Sequence, residues 1–311
     1  MHFRNAWPVA VKMLNAVKSE FFYTFAVNTA SMESIEHTNV IGEILHPEVW
    51  SLAMRLSDSK IVYAIYSSME DNSLSFGEIP FSGSEENAVK EVEAAVYDHR
   101  FFLYGYGRRA VLSDSLHFLL IPDEFSACGD YEECRKYYRY VYPDDNLTII
   151  TNRIERYGAT LAFGIEPALD SFLRRTFDNP EVLHLLTPLL KFVGQKEELG
   201  TSGRMFVYFN DGMVEIAALK NGRLVCANFF KFAELSDAFY YIMNVWQTIG
   251  FDVDADEMHI FGEKRYRKAL LGELRKYVRT VVQSIFPARL LRTGRNAMDA
   301  PFDLIVLPLC E

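Results

Sequence analysis

The chain has 311 residues, 50% hydrophobic and 14% aromatic, which is enough for a sizeable core over about two domains and too apolar for wholesale disorder. Its formal charge of −10 argues against a general nucleic-acid binder. The charge is segregated: from Glu263 to Arg295 ten Lys or Arg accompany two Glu, leaving about −18 on the rest of the chain.

Residues 1–47 form an N-terminal extension, with weak helical periodicity from Pro8 to Phe25 that Asn28 to Ser31 breaks. The extension lacks a signal-peptide hydrophobic core, and no later run reaches the ~18 apolar residues of a membrane span, so no membrane association is expected. Cys128, Cys134, Cys226 and Cys310 include no Cys-x-x-Cys pair, which argues against structural zinc and a disulfide framework. Reduced thiols in a cytoplasmic protein are the expectation.

From residue 50 the pattern sharpens. Segments 50–57, 60–67 and 73–81, separated by short polar turns, read as an antiparallel meander. A helix follows over 84–98, with Ser84 as N-cap, Glu85 and Glu86 in the first turn, and an apolar stripe of Val89, Val92, Ala95 and Val96. Strands are expected at 116–122, 146–152 and 159–165, and helices at 130–141, 166–177 and 180–193. The polar, Gly-bearing stretch 195–203 is the expected linker between a first half at 48–194 and a second at 204–311.

The second half opens as the first does, with strands at 204–210, 213–220 and 223–232 and then a helix at 234–248. Aligning Asp58 with Asp211 superposes the two sets, at an offset of 153 residues before the second turn and 150 after it. Further along, a strand at 257–262, a helix at 264–282 and a strand at 301–309 are expected, 257–262 being taken as the counterpart of 116–122. On that pairing His117 and His259 occupy equivalent strands. A repeat of about 150 residues is too long for a solenoid and implies a duplicated domain.

Three strands, a helix, a strand, a helix and a strand, present twice, resemble the actin-like ATPase superfamily of actin, Hsp70 and sugar kinases. LLIPDEF (119–125), NGRLVCANFFKF (221–232) and DAFYYIMN (237–244) are similar to an uncharacterised bacterial family with this fold. The resemblance implies an α/β protein of duplicated actin-like (ribonuclease H-like) domains, each with a mixed sheet flanked by helices. It also implies a cleft where superfamily members hold ATP and Mg2+.

Its motifs fall on identifiable positions. The first phosphate loop resembles Asp-x-Gly-Thr, and here that turn is Ser57-Asp58-Ser59-Lys60. The second falls on Asn210-Asp211-Gly212-Met213, and the adenosine Gly-Gly pair is reduced to Gly262, followed by Glu263 and Lys264. Asp58, Asp211, Gly212, Gly262 and Lys264 are therefore the candidate nucleotide-binding residues, with no catalytic residue and no metal ligand assigned. Without the resemblance, Asp58 reads as a turn residue and Asp211-Gly212 as a two-residue hairpin turn.

The basic residues Arg265, Arg267, Lys268, Arg275, Lys276 and Arg279 form a candidate patch for an anionic partner, with Arg275 and Arg279 sharing a helical face, or else a solvated face. Asp252, Asp254 and Asp256 copy the start of a calcium loop, but Glu257 stands where that loop needs Gly, so an acidic helix-to-strand connection is expected. Among the seven histidines there is no metalloprotease spacing, and no nucleophile elbow or Walker loop occurs.

The function expected is a non-catalytic or weakly nucleotide-binding scaffold with a protein partner. One alternative is a Mg2+-dependent ATPase or small-molecule kinase using Asp58 and Asp211. The other is weak RNA association through the basic segment 264–295.

Overall fold

In the computed structural model, residues 44–67, 69–81, 88–125, 130–195, 202–283, 290 and 294–310 are described. The expected helix in 8–25, the Ser84 cap, Cys128, Arg289 and Arg292 lie outside them. The first meander forms as expected: β1 (Trp50–Leu56), β2 (Lys60–Ser67) and β3 (Ser75–Pro80) pair antiparallel. Helix α1 (Ala88–Asp98) buries Val92, Ala95 and Val96.

The next strand is β4 (Arg108–Ser113), parallel to β1, at a place where no strand was expected. Its signal is only Ala110, Val111 and Leu112 behind two arginines, too short for periodicity to register. Segment 116–122 contributes β5 (Phe118–Pro122), which pairs in a separate three-stranded sheet with β7 (Ala159–Ile165) and β6 (Thr148–Ile154), in the order β5-β7-β6. His117 precedes β5 and so has no strand equivalence to His259. Helix α2 (Tyr131–Val141), capped by Asp130 accepting from the Glu132 and Glu133 amides, packs Cys134 and Tyr138 on this small sheet.

After α3 (Pro167–Thr176), the expected helix at 180–193 divides into strand β8 (Glu181–His184), parallel to β4, and helix α4 (Leu186–Gly194). The first large sheet therefore runs β3-β2-β1-β4-β8.

The second sheet has the same order. Strands β9 (Arg204–Asn210), β10 (Met213–Lys220) and β11 (Arg223–Lys231) form the meander, and β12 (Glu257–Gly262) and β13 (Thr280–Gln283) add parallel beyond β9, giving β11-β10-β9-β12-β13. The counterpart of β12 is thus β4 and not 116–122. Both Gly-containing turns are two-residue hairpins whose central residues have positive φ: Asp211 (47°) with Gly212 (72°), and Asn221 (52°) with Gly222 (72°).

Helix α5 (Leu235–Ile249) starts at a capping box of Glu234 and Asp237 and ends at Gly250 in the left-handed region. The expected helix at 264–282 stops early: α6 (Lys264–Leu274) ends in a turn, and β13 begins at Thr280. Arg275 and Arg279 consequently share no helical face. The expected strand at 301–309 is instead the short helix α7 (Phe302–Ile305) and a 3-10 turn at Leu307–Cys310. A short apolar run does not itself distinguish strand from helix, and Pro301 and Pro308 disfavour a ladder position.

Strand alternation divides β9 and β10 between two cores. Met205, Val207, Phe209, Val214, Ile216 and Ala218 face α5 and α6. Phe206, Tyr208, Met213, Ala217 and Leu219 join a core that continues through the first sheet. The chain crosses this seam twice: α4, which follows the first sheet, packs on β10 and β11, and α7, at the C-terminal end, packs on β1 and β2.

Candidate functional site

The turns expected to be phosphate loops meet along this seam, and each is tied to the opposite sheet. Asp211 lies with its carboxylate 2.9 Å from Lys60 Nζ at the start of β2, and Lys60 also reaches Glu78 at 2.7 Å. Asp58, in the β1–β2 turn, lies 3.0 Å from Lys231 Nζ at the end of β11, and Lys231 also pairs with Asp114 at 2.9 Å. Burial would lower the Lys60 ammonium, but Glu78 and Asp211 outweigh it and hold the group above its usual range.

Beneath these surface pairs is a buried one. Arg55 of β1 donates from Nη1 to Asp303 of α7 at 2.6 Å, with both side chains 2% exposed. Asp303 also accepts from the Tyr208 hydroxyl at 3.1 Å and from the Asn210 amide at 3.2 Å, while Arg55 Nη2 stands 3.8 Å from Asp211. Burial opposes the Arg55 charge, but Asp303 foremost, with Tyr208 and Asp211, raises the guanidinium pKa above its already high value. Burial, with the Asp303 charge behind it, pushes the Tyr208 phenol well up, so it remains a donor.

Glu215 projects from the middle of β10 into the same cluster and is fully buried. Neither carboxyl oxygen makes a hydrogen bond of ordinary geometry. Burial first, and then the Asp303 charge, pushes its pKa well above the usual carboxylate range, against the weaker pull of Arg55 and Asn210.

The remaining candidates take plain structural positions. The Asp211 N–H, the donor a phosphate would use, donates to Glu263 Oε1, and the Gly212 carbonyl accepts from the Phe232 N–H at 2.8 Å. Gly262 has φ 92°, and a Cβ there would lie 2.1 Å from the Phe209 carbonyl oxygen, so close contact between β12 and β9 alone accounts for the glycine. Lys264 is exposed at the first position of α6.

Of the basic patch, Arg265 pairs with Glu263 and lies over the Tyr266 ring, and Arg267 donates to the Gly262 carbonyl. Arg275 donates to the Val281 carbonyl and Lys276 pairs with Glu273, which leaves Lys268 and Arg279 exposed for another role. Asp252 and Asp256 spend their carboxylates on backbone amides, Asp252 on those of Asp254 and Ala255, and Asp256 on those of Asp252 and Gly203. Among the described residues, no group of three or more His, Cys, Asp or Glu is arranged to hold a metal ion.

The sequence marks Lys60 and Asn210 only as neighbours of the acidic turns and singles out none of Arg55, Tyr208, Glu215, Lys231 and Asp303. The signal that could have marked three of them is a single charge inside an otherwise apolar run: Arg55 in LAMRL, Glu215 in MVEIAAL and Asp303 in PFDLIVL.

Among solved structures, the chain is similar to a protein from Bacteroides thetaiotaomicron VPI-5482 with an actin-like ATPase fold and unknown function. That match has TM-score 0.69 and 24% identity and covers 85% of this chain and 97% of the other. A PilM–PilN type IV pilus biogenesis complex follows at TM-score 0.48 and 8% identity, over 84% of this chain and 97% of that one. The PPX-GPPA enzyme of Aquifex aeolicus matches at TM-score 0.36 and 9% identity, over 84% and 89%. No curated protein matches the chain. The fold is that of the actin-like ATPases, and among the described residues no helix is long and apolar enough to cross a membrane. Over residues 42–281 the chain matches the family described as protein of unknown function (DUF3822), and it belongs to that family.

Proposed function

We propose that the protein is a non-catalytic member of the actin-like fold: a cytoplasmic bacterial scaffold that binds a protein partner. Its halves are 48–194 and 204–311, products of a duplication, joined by 195–203. One arrangement carries this reading. Each acidic turn at a phosphate-loop position is held by a lysine of the opposite sheet, Asp211 by Lys60 and Asp58 by Lys231.

A Mg2+-triphosphate needs free carboxylates around the metal and free amides around the phosphate. Here ammonium groups hold the carboxylates, and Glu263 takes the Asp211 amide. The two-residue turn at Asp211-Gly212 is also too short to wrap a phosphate. ATP–Mg2+ does not fit these residues, and no phosphoryl-transfer step is derived from them. The same ion pairs suit a permanently closed seam that presents the outer surfaces in a fixed relation.

Isothermal titration of the intact protein with ATP–Mg2+ tests the reading: no binding heat and no thermal shift are expected at millimolar nucleotide. ATP hydrolysis that Asp211→Ala abolishes would overturn it in favour of a Mg2+-dependent ATPase or kinase.

A further inference from the structure

The end of the first large sheet opposite the acidic turns carries an apolar face. Five large side chains are exposed around the start of β1: Leu45 (70%), Val49, Met69 (79%), Leu103 and Tyr104. Short contacts hold their three segments together. The Ser67 hydroxyl donates to the Val49 carbonyl at 3.1 Å and accepts from the Met69 N–H at 3.2 Å. The Gly107 N–H donates to the Trp50 carbonyl at 3.0 Å. A Cβ on Gly107 would lie 2.0 Å from the Glu48 carbonyl oxygen, so the glycine lets 104–107 run directly against 47–50.

Single exposed apolar residues are ordinary on a protein surface, but a cluster of them marks a contact site. The rim of this one is acidic. The segments that form it, 44–50, 69–72 and 100–107, carry Glu48, Glu70 and Asp71 against Arg100.

The chain itself supplies a segment of matching chemistry. The first described residue, Ile44, packs on the first core next to Leu45, so residues 1–43 join the fold at this face. Residues 1–19 contain Arg4, Lys12 and Lys18 with no Asp or Glu, and large apolar side chains at Phe3, Trp7, Val11 and Leu14. Twenty-five residues separate Ser19 from Leu45, and at ~3.3 Å per extended residue that length does not limit a return to the face. Tethering at this point also gives the segment a local concentration of about millimolar order, at which a modest apolar contact is occupied.

We propose that residues 1–19 dock on this face within the same chain, with their apolar side chains against the Leu45–Val49–Met69–Tyr104 cluster and their cations at its acidic rim. Burial of apolar surface supplies the affinity, and the opposite charges set the orientation. The face is the full length of β1 away from the Asp58 turn, so nucleotide binding has no bearing on it.

The test is trypsin cleavage after Lys12 and Lys18, timed by mass spectrometry on the full chain and on a synthetic peptide of residues 1–25 as the undocked reference. Cleavage in the full chain should be slower by about tenfold or more, because the protease reads the fraction of undocked segment. Val49→Asp with Met69→Asp should return the rates to within about twofold of the peptide's, and Glu48→Lys with Glu70→Lys should return them part of the way. All four side chains are exposed, so the unfolding transition should stay where it is in both variants. Cleavage of the wild-type chain at the peptide's rate, or protection undiminished in both variants, would overturn the proposal. So would protection that is lost on dilution, which would place the segment on a second copy of the chain instead.

Discussion

The buried carboxyl of Glu215 offers the sharpest test of the seam. It sits at full burial in β10 with no hydrogen bond of ordinary geometry, beside Asp303 and Arg55, and its native pKa is raised well above the ordinary 4.5. The folded chain therefore holds a proton that the unfolded chain releases above about pH 4.5. Stability contributed by this group is fully present below the unfolded value and is lost as pH rises through the native one. Over that window the loss is about 1.4 kcal/mol per pH unit. Glu215→Gln has nearly the same shape and cannot ionise, so the slope disappears while any packing change adds a constant.

Urea unfolding of both proteins over a pH series gives the difference directly. The advantage of Gln should be flat in acid, climb by about 1.4 kcal/mol per unit above pH ~4.5, and level off where the native carboxyl ionises. Two stability curves that stay parallel from about pH 4 to about pH 8 would refute the assignment of a protonated Glu215.

Arg55→Met should destabilise by about 3–5 kcal/mol, because it strands the Asp303 charge in the core, while Arg55→Met combined with Asp303→Leu should recover most of that loss. A double-mutant cycle by denaturant titration checks both values, and a single mutant as stable as the wild type would be inconsistent with the buried pair. His184 is buried, accepts from the Leu186 N–H at Nδ1 and donates from Nε2 to the Ser115 carbonyl, and burial lowers its pKa to about 4. Its contribution is complete above the usual 6.5 and falls away in acid, by about 3 kcal/mol once pH is below 4. A His184 ring resonance, assigned by its loss in His184→Gln, that titrates near 6.5 in the folded protein would contradict this. Gly262→Ala should lower stability by about 1–3 kcal/mol through strain and the Phe209 contact, and thermal melts with and without ATP–Mg2+ should show the same loss. A loss seen only with nucleotide would return Gly262 to an adenosine role.

Much of the fold is legible in the sequence. The meanders at 50–81 and 204–231 announce themselves because β-branched and aromatic runs alternate with short polar turns, and such signals are local. The Asp211-Gly212 hairpin was readable for the same reason, since two adjacent positive-φ residues require that chemistry wherever they occur. Strands β4, β8 and β13 are not readable: they are short, and their identity comes from pairing parallel to strands beyond any local turn, β13 to β12 across α6 and β4 and β8 to strands more distant in the chain. Likewise 301–309 is apolar enough for a strand or a helix, and only its seat on β1 and β2 selects the helix.

The division is the same at the candidate site. By itself the sequence determined where two acidic turns stand and that they are poor in glycine. It held no information on what neutralises them, because ion pairs such as Lys60 with Asp211, Lys231 with Asp58 and Arg55 with Asp303 join residues from opposite parts of the chain. Only the tertiary structure brought those charges within reach, and Coulomb attraction and desolvation act at distances that sequence separation does not encode.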